Sequence, residues 1–555
     1  MSVKPFILLA LSVVVAQSAT GQQRAADTVL KGSTIEVIQS YKPQVRKAPK
    51  PEWLPQLPPA DTSRPVLNYD VPQQTLYYSY TSGQLRPLAL GKDSLVIPFP
   101  NYIKAGGGNL STLFLDAGIA SIRGKNYETG IHLHHLSQKG NINSQQSSLS
   151  GLEADGVLHT TNNEWHASAN IERNQYYFYG IDPTLIVLPI TEDKKQTFTT
   201  VRVSADMKNR VQDPVSKINY HPSVTASIYD ARFNNSRFNN SETNFGFNAP
   251  FSYGIDSTLN LSLALSTSFT QLKMSSNNIS NNIAALTPGI TLNKGALQGK
   301  AFLGFAVGKG GILYILPELT ASYQIPSTAL RLSGGWQANV RQNTYEQLTS
   351  ENPYLLYDYH TLFSGKDVKQ SRRDELFASV SGTQGSHFNY LVKVSWWNFT
   401  NLATYLDTSA FNQRFNVIYD DVSAISLHGA VRYTQSSKWS AGVTGDFYKF
   451  YQGTQQYAWH QPTLNIKGDF SIRPIKDLTV SAYLTVLGGI YALDNANKAI
   501  MLTPITDIGG NAEYNLGNRM SVFLQVSNLL NSKYQRWSYY QSYGLNVYGG
   551  LRLKF

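Results

Sequence analysis

Residues 100–555 alternate between apolar and polar side chains with a period of two, over segments longer than ordinary soluble strands. In 258–269 the leucines occupy every second position, while Ser, Thr and Asn fill many of the positions between them. The segments 201–207, 464–472 and 478–486 repeat the pattern. Soluble strands average about 5–6 residues, whereas a membrane strand needs about 9–11. We therefore expect an all-β chain that forms a transmembrane antiparallel β-barrel, because only a closed sheet pairs every backbone group in lipid.

Composition favours this interpretation over a soluble sandwich, whose half-buried strands would alternate in the same way. Charged residues make up only 15% of the chain, against about 25% in soluble domains. The absence of cysteine excludes a disulfide framework. The 34 tyrosines, with abundant Gly, Ser, Thr and Asn, fit aromatic girdles and a polar lumen.

Turn chemistry predicts the topology of the barrel. Short periplasmic turns and longer outer loops are typical of outer-membrane barrels. Counting strands back from Phe555 gives about 22, with 20 as the alternative, and the first two fall near 100–107 and 111–121. The expected tight turns are 209–216, 254–258, 436–438, 474–477 and 515–519, and the expected outer loops are 181–196, 232–241, 275–282, 345–371, 491–503 and 529–541.

The N-terminal residues predict export. Lys4 precedes an apolar run at 6–16, and Ala19-Thr20-Gly21 fits the pattern of a signal-peptide cleavage site. The run is too short for a spanning helix, which needs about 20 residues. We therefore expect a signal peptide at 1–21 and a mature chain that begins at Gln22. Residues 22–99 are rich in proline, which prevents a long helix or a central strand. We expect them to lie in the periplasm or to occlude the lumen, ahead of a barrel at 100–555.

The sequence gives no sign of catalysis, of a cofactor or of a nucleic-acid partner. The formal charge is +11, but Lys and Arg are scattered, apart from a small cluster at 42–50. His132, His134 and His135 could chelate a metal, yet no nearby Cys or carboxylate completes a set, so we expect a polar barrel wall and no metal site. No motif of a known catalytic mechanism is present, and we expect no enzymatic activity.

The last strand, 546–555, is amphipathic and ends in an aromatic residue. Leu551, Leu553 and Phe555 share one face, while Arg552 and Lys554 lie on the other. An uncovered strand edge is an aggregation hazard, and pairing with the first strand removes it. We expect this strand to close the barrel and to carry the signal for the outer-membrane assembly machinery.

The sequence 528–534, followed by 543–545 and the closing strand, resembles the C-terminus of TonB-dependent receptors. Those receptors are barrels, typically of 22 strands, that import scarce ligands with energy passed from the inner membrane. The segment 22–99 shows no recognisable plug domain, so the chain is more similar to a branch that lacks one. The residues at 40–43, 101–104 and 179–183 also resemble that branch.

The resemblance implies transport or binding of a ligand at the cell surface. The alternatives are a structural or assembly barrel that acts through protein partners, and a passive pore. The expected partners are outer-membrane lipid, the assembly machinery, and TonB or a surface lipoprotein. Thr34, Ile35, Glu36 and Val37 form a β-prone stretch similar to the segment that pairs with TonB. Aromatic residues of the outer loops are candidates for ligand contact, although a membrane girdle needs the same residue types. These candidates are Tyr345, Tyr354, Tyr357, Tyr359, Trp537, Tyr539 and Tyr540.

Overall fold

The computed structural model of the chain describes residues 100–555, except for 121, 181–194, 211–217, 234–238, 275–276, 408–413, 436–437, 452 and 495. The predicted signal peptide at 1–21, the segment 22–99 and the stretch Thr34–Val37 lie outside the described residues.

Twenty-two antiparallel strands form one closed sheet, which confirms the predicted barrel and its strand number. Consecutive wall strands pair with each other, and β1 pairs with β28 to close the circle. Six short segments are not counted as separate wall strands: β7 continues β8, β11 continues β12, and β22–β23 and β26–β27 are hairpins in the loops. The strands are β1 (Tyr102–Gly108), β2 (Leu113–Ile119), β3 (Tyr127–Lys139), β4 (Gln146–His159), β5 (Asn163–Tyr177), β6 (Lys195–Asn209), β7 (Ile218–Tyr220), β8 (Ser223–Phe233), β9 (Asn239–Gly254), β10 (Leu259–Met274), β11 (Asn277–Ser280), β12 (Ile283–Lys294), β13 (Leu297–Val307), β14 (Leu313–Gln324), β15 (Leu330–Arg341), β16 (Ser371–Gln384), β17 (Phe388–Asp407), β18 (Phe415–Gln435), β19 (Trp439–Tyr451), β20 (Leu464–Ile475), β21 (Leu478–Gly488), β22 (Tyr491–Leu493), β23 (Ala499–Met501), β24 (Ile505–Asn515), β25 (Met520–Ser527), β26 (Gln535–Trp537), β27 (Tyr540–Gln541) and β28 (Asn546–Lys554).

The outer face of the wall is an apolar belt. Leu261, Leu263 and Leu265 of β10 remain 42–47% exposed, although they are large aliphatic side chains. Successive side chains of a strand point to opposite faces, so the intervening Ser262 and Ser266 face the lumen. Exposed apolar side chains on strand after strand identify the surface that lipid covers.

The two ends of the barrel differ, as the turn chemistry predicts. Asn101 and Phe555 exchange backbone hydrogen bonds of 3.2 and 3.0 Å, so both ends of the barrel chain lie at the end with the short turns. The longer connections, including 342–370, 489–504 and 528–545, lie at the opposite end. By the pattern of outer-membrane barrels, the first is the periplasmic end and the second the extracellular end.

Closure of the barrel depends on glycine at the junction of β1 and β28. Gly106 is the register partner of Gly550. A Cβ atom at Gly550 would lie 1.9 Å from the carbonyl oxygen of Ala105, and one at Gly106 would lie 2.4 Å from that of Gly549. The two strands therefore approach at a distance that side chains at these positions would prevent.

Candidate functional site

The connection 342–370 at the extracellular end contains two short helices, α1 (Tyr345–Glu351) and α2 (Tyr359–Leu362). The hydroxyl of Thr344 accepts a hydrogen bond of 3.2 Å from the backbone N–H of Gln347, which caps α1. The carboxylate of Asp358 caps α2 in the same way, through Thr361 N–H at 3.1 Å. No helix in the described part of the chain has the length and apolar character needed to cross a membrane.

The N-terminus of α1 is fixed to the wall by a buried carboxylate. Glu242 of β9 accepts hydrogen bonds from the backbone N–H groups of Tyr345 at 2.6 Å and Glu346 at 3.3 Å. The side-chain amide of Asn240, two residues earlier, donates to the carbonyl oxygen of Tyr357 at 3.0 Å. The two bonds to Glu242 satisfy helix N–H groups that have no partner within the helix. With the bond from Asn240, they give the helical segment a defined position on the inner wall.

A second loop, 528–545, packs against the helical one, and we call the two together the cap. The rings of Tyr354 and Tyr540 stack with centroids 3.5 Å apart. Trp537 lies edge to face against Tyr405 of β17, at 5.2 Å, and Tyr345 lies likewise against Tyr229 of β8, at 5.9 Å. The cap therefore joins wall strands that lie well apart around the barrel through one apolar core.

The structure gathers the predicted loop aromatics, except Tyr539, in or against this core. Tyr345, Tyr354, Trp537 and Tyr540 are buried, with exposed fractions of 1–9%. Tyr357, Tyr359 and Tyr539 are half-buried. In this arrangement the four buried rings stabilise the cap, and they do not form an open platform for a ligand.

The other predicted site residues lie elsewhere. Leu551, Leu553 and Phe555 are 50–55% exposed on the lipid-facing side of the closing strand. His132 contacts Asp116 at 2.9 Å, and His135 contacts Ser150 at 2.8 Å. Among the described residues, no group of three His, Cys, Asp or Glu side chains is placed to hold a metal ion.

A cavity of about 360 Å³ lies between the cap and the inner wall. Three arginines from separate elements border it: Arg341 at the end of β15, Arg373 in β16 and Arg536 in the cap. Glu351 of α1 is the carboxylate on the lining. The aromatic lining residues are Phe399, Tyr405, Tyr448, Phe450 and Trp537.

The charges of this arginine cavity do not balance. Glu351 is shared between Arg341, through a short ion pair, and the hydroxyl of Tyr405 at 2.5 Å. The side chain of Arg373 makes no hydrogen bond within the described residues, and its Nε is a buried donor without a partner. Arg536 donates to a carbonyl oxygen, that of His460, at 2.7 Å. Among the described residues, two guanidinium groups therefore border the cavity without a carboxylate of their own.

Burial shifts the ionisation of the groups around Arg536. It lowers the pKa of this guanidinium, although arginine remains cationic at physiological pH. The adjacent His460 is fully buried, and burial lowers its pKa from 6.5 to about 3. Because a carbonyl oxygen can only accept, the neutral ring carries its proton on Nδ1, and this N–H donates to the carbonyl oxygen of Tyr405 at 2.8 Å. The neutral imidazole leaves the positive charge at this wall to the arginines.

Other charged side chains on the lumen face mostly pair with a neighbour. Arg202 forms an ion pair of 2.6 Å with Glu346 of α1, and so links β6 to the cap. Other pairs within the wall include Asp206 with His166 and His221, Lys393 with Glu375, Asp469 with Arg432, and Arg552 with Glu513.

Of the aromatic residues that line the cavity, only Trp537 was among the residues predicted from the sequence, and none of the three arginines was. Arg341, Arg373 and Arg536 are far apart in the chain, and each stands in an ordinary strand or loop context. Only the closed wall and the inward fold of the loops bring them together.

Comparison with known proteins supports the fold alone. No protein-family model matches the chain, and no curated protein matches it by sequence. The ferripyoverdine receptor of the Pseudomonas aeruginosa outer membrane is similar over 82% of this chain and 72% of its own, with a TM-score of 0.61 and 10% identity. A ferric enterobactin receptor variant from the same organism is similar over 82% of this chain and 80% of its own, with a TM-score of 0.62 and 10% identity. A siderophore receptor from Acinetobacter baumannii is similar over 82% of this chain and 80% of its own, with a TM-score of 0.62 and 9% identity. The chain is therefore an integral outer-membrane β-barrel protein with the fold of TonB-dependent siderophore receptors.

Proposed function

We propose that the barrel binds an anionic ligand in the arginine cavity and imports it across the outer membrane. The observation that carries this proposal is the pair of guanidinium groups, Arg373 and Arg536, that border an aromatic cavity and form no ion pair with a carboxylate among the described residues. Charge removed from water is costly unless it is paired. A ligand with carboxylate or catecholate oxygens would supply the pairing, since guanidinium groups bind such planar anions in a bidentate manner.

The structural neighbours support the same class of ligand. They are named as receptors for ferripyoverdine, for ferric enterobactin and for siderophores. A chelated ferric complex combines anionic oxygens with flat aromatic or conjugated groups. Guanidinium groups next to Tyr405, Tyr448 and Trp537 provide complementary contacts for both.

Uptake through this site requires the cap to move. The cavity lies inside the wall and beneath α1, so a ligand reaches it when the contact between the two cap loops opens. A bound anion would then link Arg373 of the wall to Arg536 of the cap and favour reclosure. Ligand binding and cap closure are thereby coupled, because the ligand has a higher affinity for the closed state.

Binding to the purified protein, measured by calorimetry with ferric enterobactin as the first probe and ferripyoverdine as the second, tests the ligand class. We expect Arg373→Gln and Arg536→Gln each to weaken binding by about tenfold or more, equivalent to about 1.4 kcal/mol. Arg432→Gln is the matched control, because Arg432 is a lumen arginine paired with Asp469 at 2.7 Å. Equal affinities in all three variants, or no binding of either probe, would contradict the proposal.

Energy coupling through Thr34–Val37 is a separate part of the proposal. An extended β-prone segment can add as a strand to an exposed sheet edge. The periplasmic domain of TonB should retain the full-length barrel in a pull-down and should lose the barrel that lacks residues 30–40. Equal retention of both proteins would show that this segment is not the contact, and failure to retain either would favour a structural role.

A further inference from the structure

The wall of the barrel is incomplete between β14 and β15. Their ladder runs from Gln324↔Arg331 to Glu318↔Gln337 and stops there. Beyond that point, 313–317 of β14 pairs with β13 alone, and 338–341 of β15 pairs with β16 alone. The break begins at Pro317, which has no backbone N–H to donate to a ladder.

We call this break a window, since contacts at its extracellular side join the wall again. The turn after β13 contacts the base of the helical loop: Lys309 Nζ lies 2.5 Å from the carboxylate of Asp367. The backbone N–H of Lys309 donates to the side-chain oxygen of Gln370 at 3.2 Å. The intact ladder from Glu318↔Gln337 onward forms the lower border.

The window opens at the level of the lipid-facing belt. Ile315 of β14 lies on the edge of the window and pairs in register with Phe305 of β13. Phe305 in turn pairs with Leu286 of β12. All three side chains are 42–49% exposed on the outer face. Lipid hydrocarbon therefore meets this part of the wall, where an unpaired strand edge costs several kcal/mol per backbone group.

Two cavities meet at the window, one on each side of the wall. The outer groove has a volume of about 880 Å³ and is bordered by Leu303, Ile315, Pro317 and Trp336. The inner cavity, of about 320 Å³, is bordered by hydroxyl side chains of β10 and by Leu316. Phe302 borders both. Its ring packs directly on Gly289, where a Cβ atom would lie 2.1 Å from the ring.

We propose that this window is a lateral portal that takes up an acyl chain of a bilayer lipid. Apart from Ser262 and Arg372, whose guanidinium pairs with Asp374, the outer groove has an apolar lining at the depth of the lipid chains. The inner cavity supplies polar groups on the lumen side of the strand edges. An extended hydrocarbon chain is the occupant that the surrounding bilayer presents to such a groove. The proposal stands apart from ligand import through the arginine cavity, because the two sites share no lining residue.

Fluorescence quenching in liposomes tests the portal. The chain contains no cysteine, so a bimane label on Leu316→Cys reports the lumen side of the window alone. Phosphatidylcholine that carries a spin label on its acyl chain is the quencher. The matched control is Thr444→Cys on β19, which faces the lumen on another part of the wall, as its exposed outward neighbour Val443 shows. We expect at least twice as much quenching at Leu316→Cys as at Thr444→Cys.

Two further variants separate a portal from a general leak. Pro317→Thr restores a backbone donor, and we expect it to lower quenching at Leu316→Cys towards the control value. Phe302→Ala removes the ring between the cavities and should raise the quenching at Leu316→Cys. Heat-modifiability on gels verifies that each variant is folded. Equal quenching at the two labelled positions overturns the proposal. Exclusion of the spin-labelled lipid together with cross-linking between barrels also overturns it, and would make the groove a contact between two copies.

Discussion

Tyr354 of the helical loop and Tyr540 of the second cap loop stack face to face, with ring centroids 3.5 Å apart and planes 15° apart. Both rings are buried at the extracellular mouth. This contact joins two independent connections into one cap, and the helical loop also contacts Arg202 of β6 through Glu346 and Tyr405 of β17 through Glu351. Access to the arginine cavity therefore depends on the strength of a small aromatic interface.

Replacing Tyr540 should open the cap without unfolding the barrel. Removal of a buried aromatic ring costs about 3–5 kcal/mol, and here the loss falls on the contacts of Tyr540 with Tyr354, Tyr179 and Phe415. We expect Tyr540→Ala to increase hydrogen–deuterium exchange in 345–363, while the wall strands remain protected. Leu530→Ala, at a site 52% exposed in the same loop, is the control. Unchanged protection of 345–363 in Tyr540→Ala would mean that the stack does not hold the cap.

The carboxylate of Glu242 should be the second determinant of cap stability. Its removal leaves the buried N–H of Tyr345 without an acceptor, which costs about 1–3 kcal/mol. We expect Glu242→Ala to expose α1 to exchange more than Glu242→Gln, because the amide oxygen of glutamine still accepts one hydrogen bond. Glu153→Ala, at an exposed position, should behave like the unmodified protein. An equal effect of Ala and Gln would assign the stabilisation to charge and not to hydrogen bonding.

Acidification should loosen the cap through His460. In the closed cap the pKa of this side chain is lowered to about 3, whereas in an open cap it approaches 6.5. The open state therefore binds a proton that the closed state does not, and stability present above pH 6.5 is lost as the pH falls towards 3. The loss approaches about 1.4 kcal/mol per pH unit below 6.5.

Exchange of 345–363 at pH 7.5 and pH 5, corrected for the intrinsic pH dependence of exchange, measures this effect. His460→Asn keeps a donor for the carbonyl oxygen of Tyr405 and removes the titration. The difference between the two pH values should be smaller in this variant than in the unmodified protein. The same difference in both proteins would place the pH sensitivity on other groups.

The wall was predictable from the sequence because the alternating pattern of each strand is local to that strand. The alternation in 258–269 depends only on which side chains meet lipid, and the short turns mark where the strands reverse. The strand number followed from these local signals. The position of the closing strand followed from the amphipathic pattern before Phe555.

The cap and its cavity were not predictable, because they depend on contacts between distant segments. The capping residues Thr344 and Asp358 are local signals for helices that the sequence analysis did not use, since 345–371 was predicted only as an outer loop. The pairing of Tyr354 with Tyr540 has no such signal. The window beside Pro317 shows the same limit: a proline marks a weak ladder, but only the register shows where the wall parts.

Side chains at the junction of β1 and β28 should prevent closure. A Cβ atom at Gly550 would lie 1.9 Å from the carbonyl oxygen of Ala105, so Gly550→Ala must push the two strands apart. We expect less heat-modifiable, folded barrel in outer-membrane fractions. Gly429→Ala is the matched control, because a Cβ atom there meets nothing within 4 Å. Normal assembly of Gly550→Ala would show that the junction can widen without loss of pairing.

The segment 22–99 should act as a second barrier in the lumen. A barrel of this size encloses a lumen that is normally plugged, and the cap occupies only the extracellular end. The contribution of 22–99 is best measured with the cap loosened, so that the cap does not set the resistance. We expect the planar-bilayer conductance of Tyr540→Ala to rise further when 22–99 is deleted. The conductance of Leu530→Ala, measured with and without 22–99, gives the effect of this segment when the cap is intact. Equal conductance of the deleted and full-length forms of Tyr540→Ala would show that 22–99 does not obstruct the lumen.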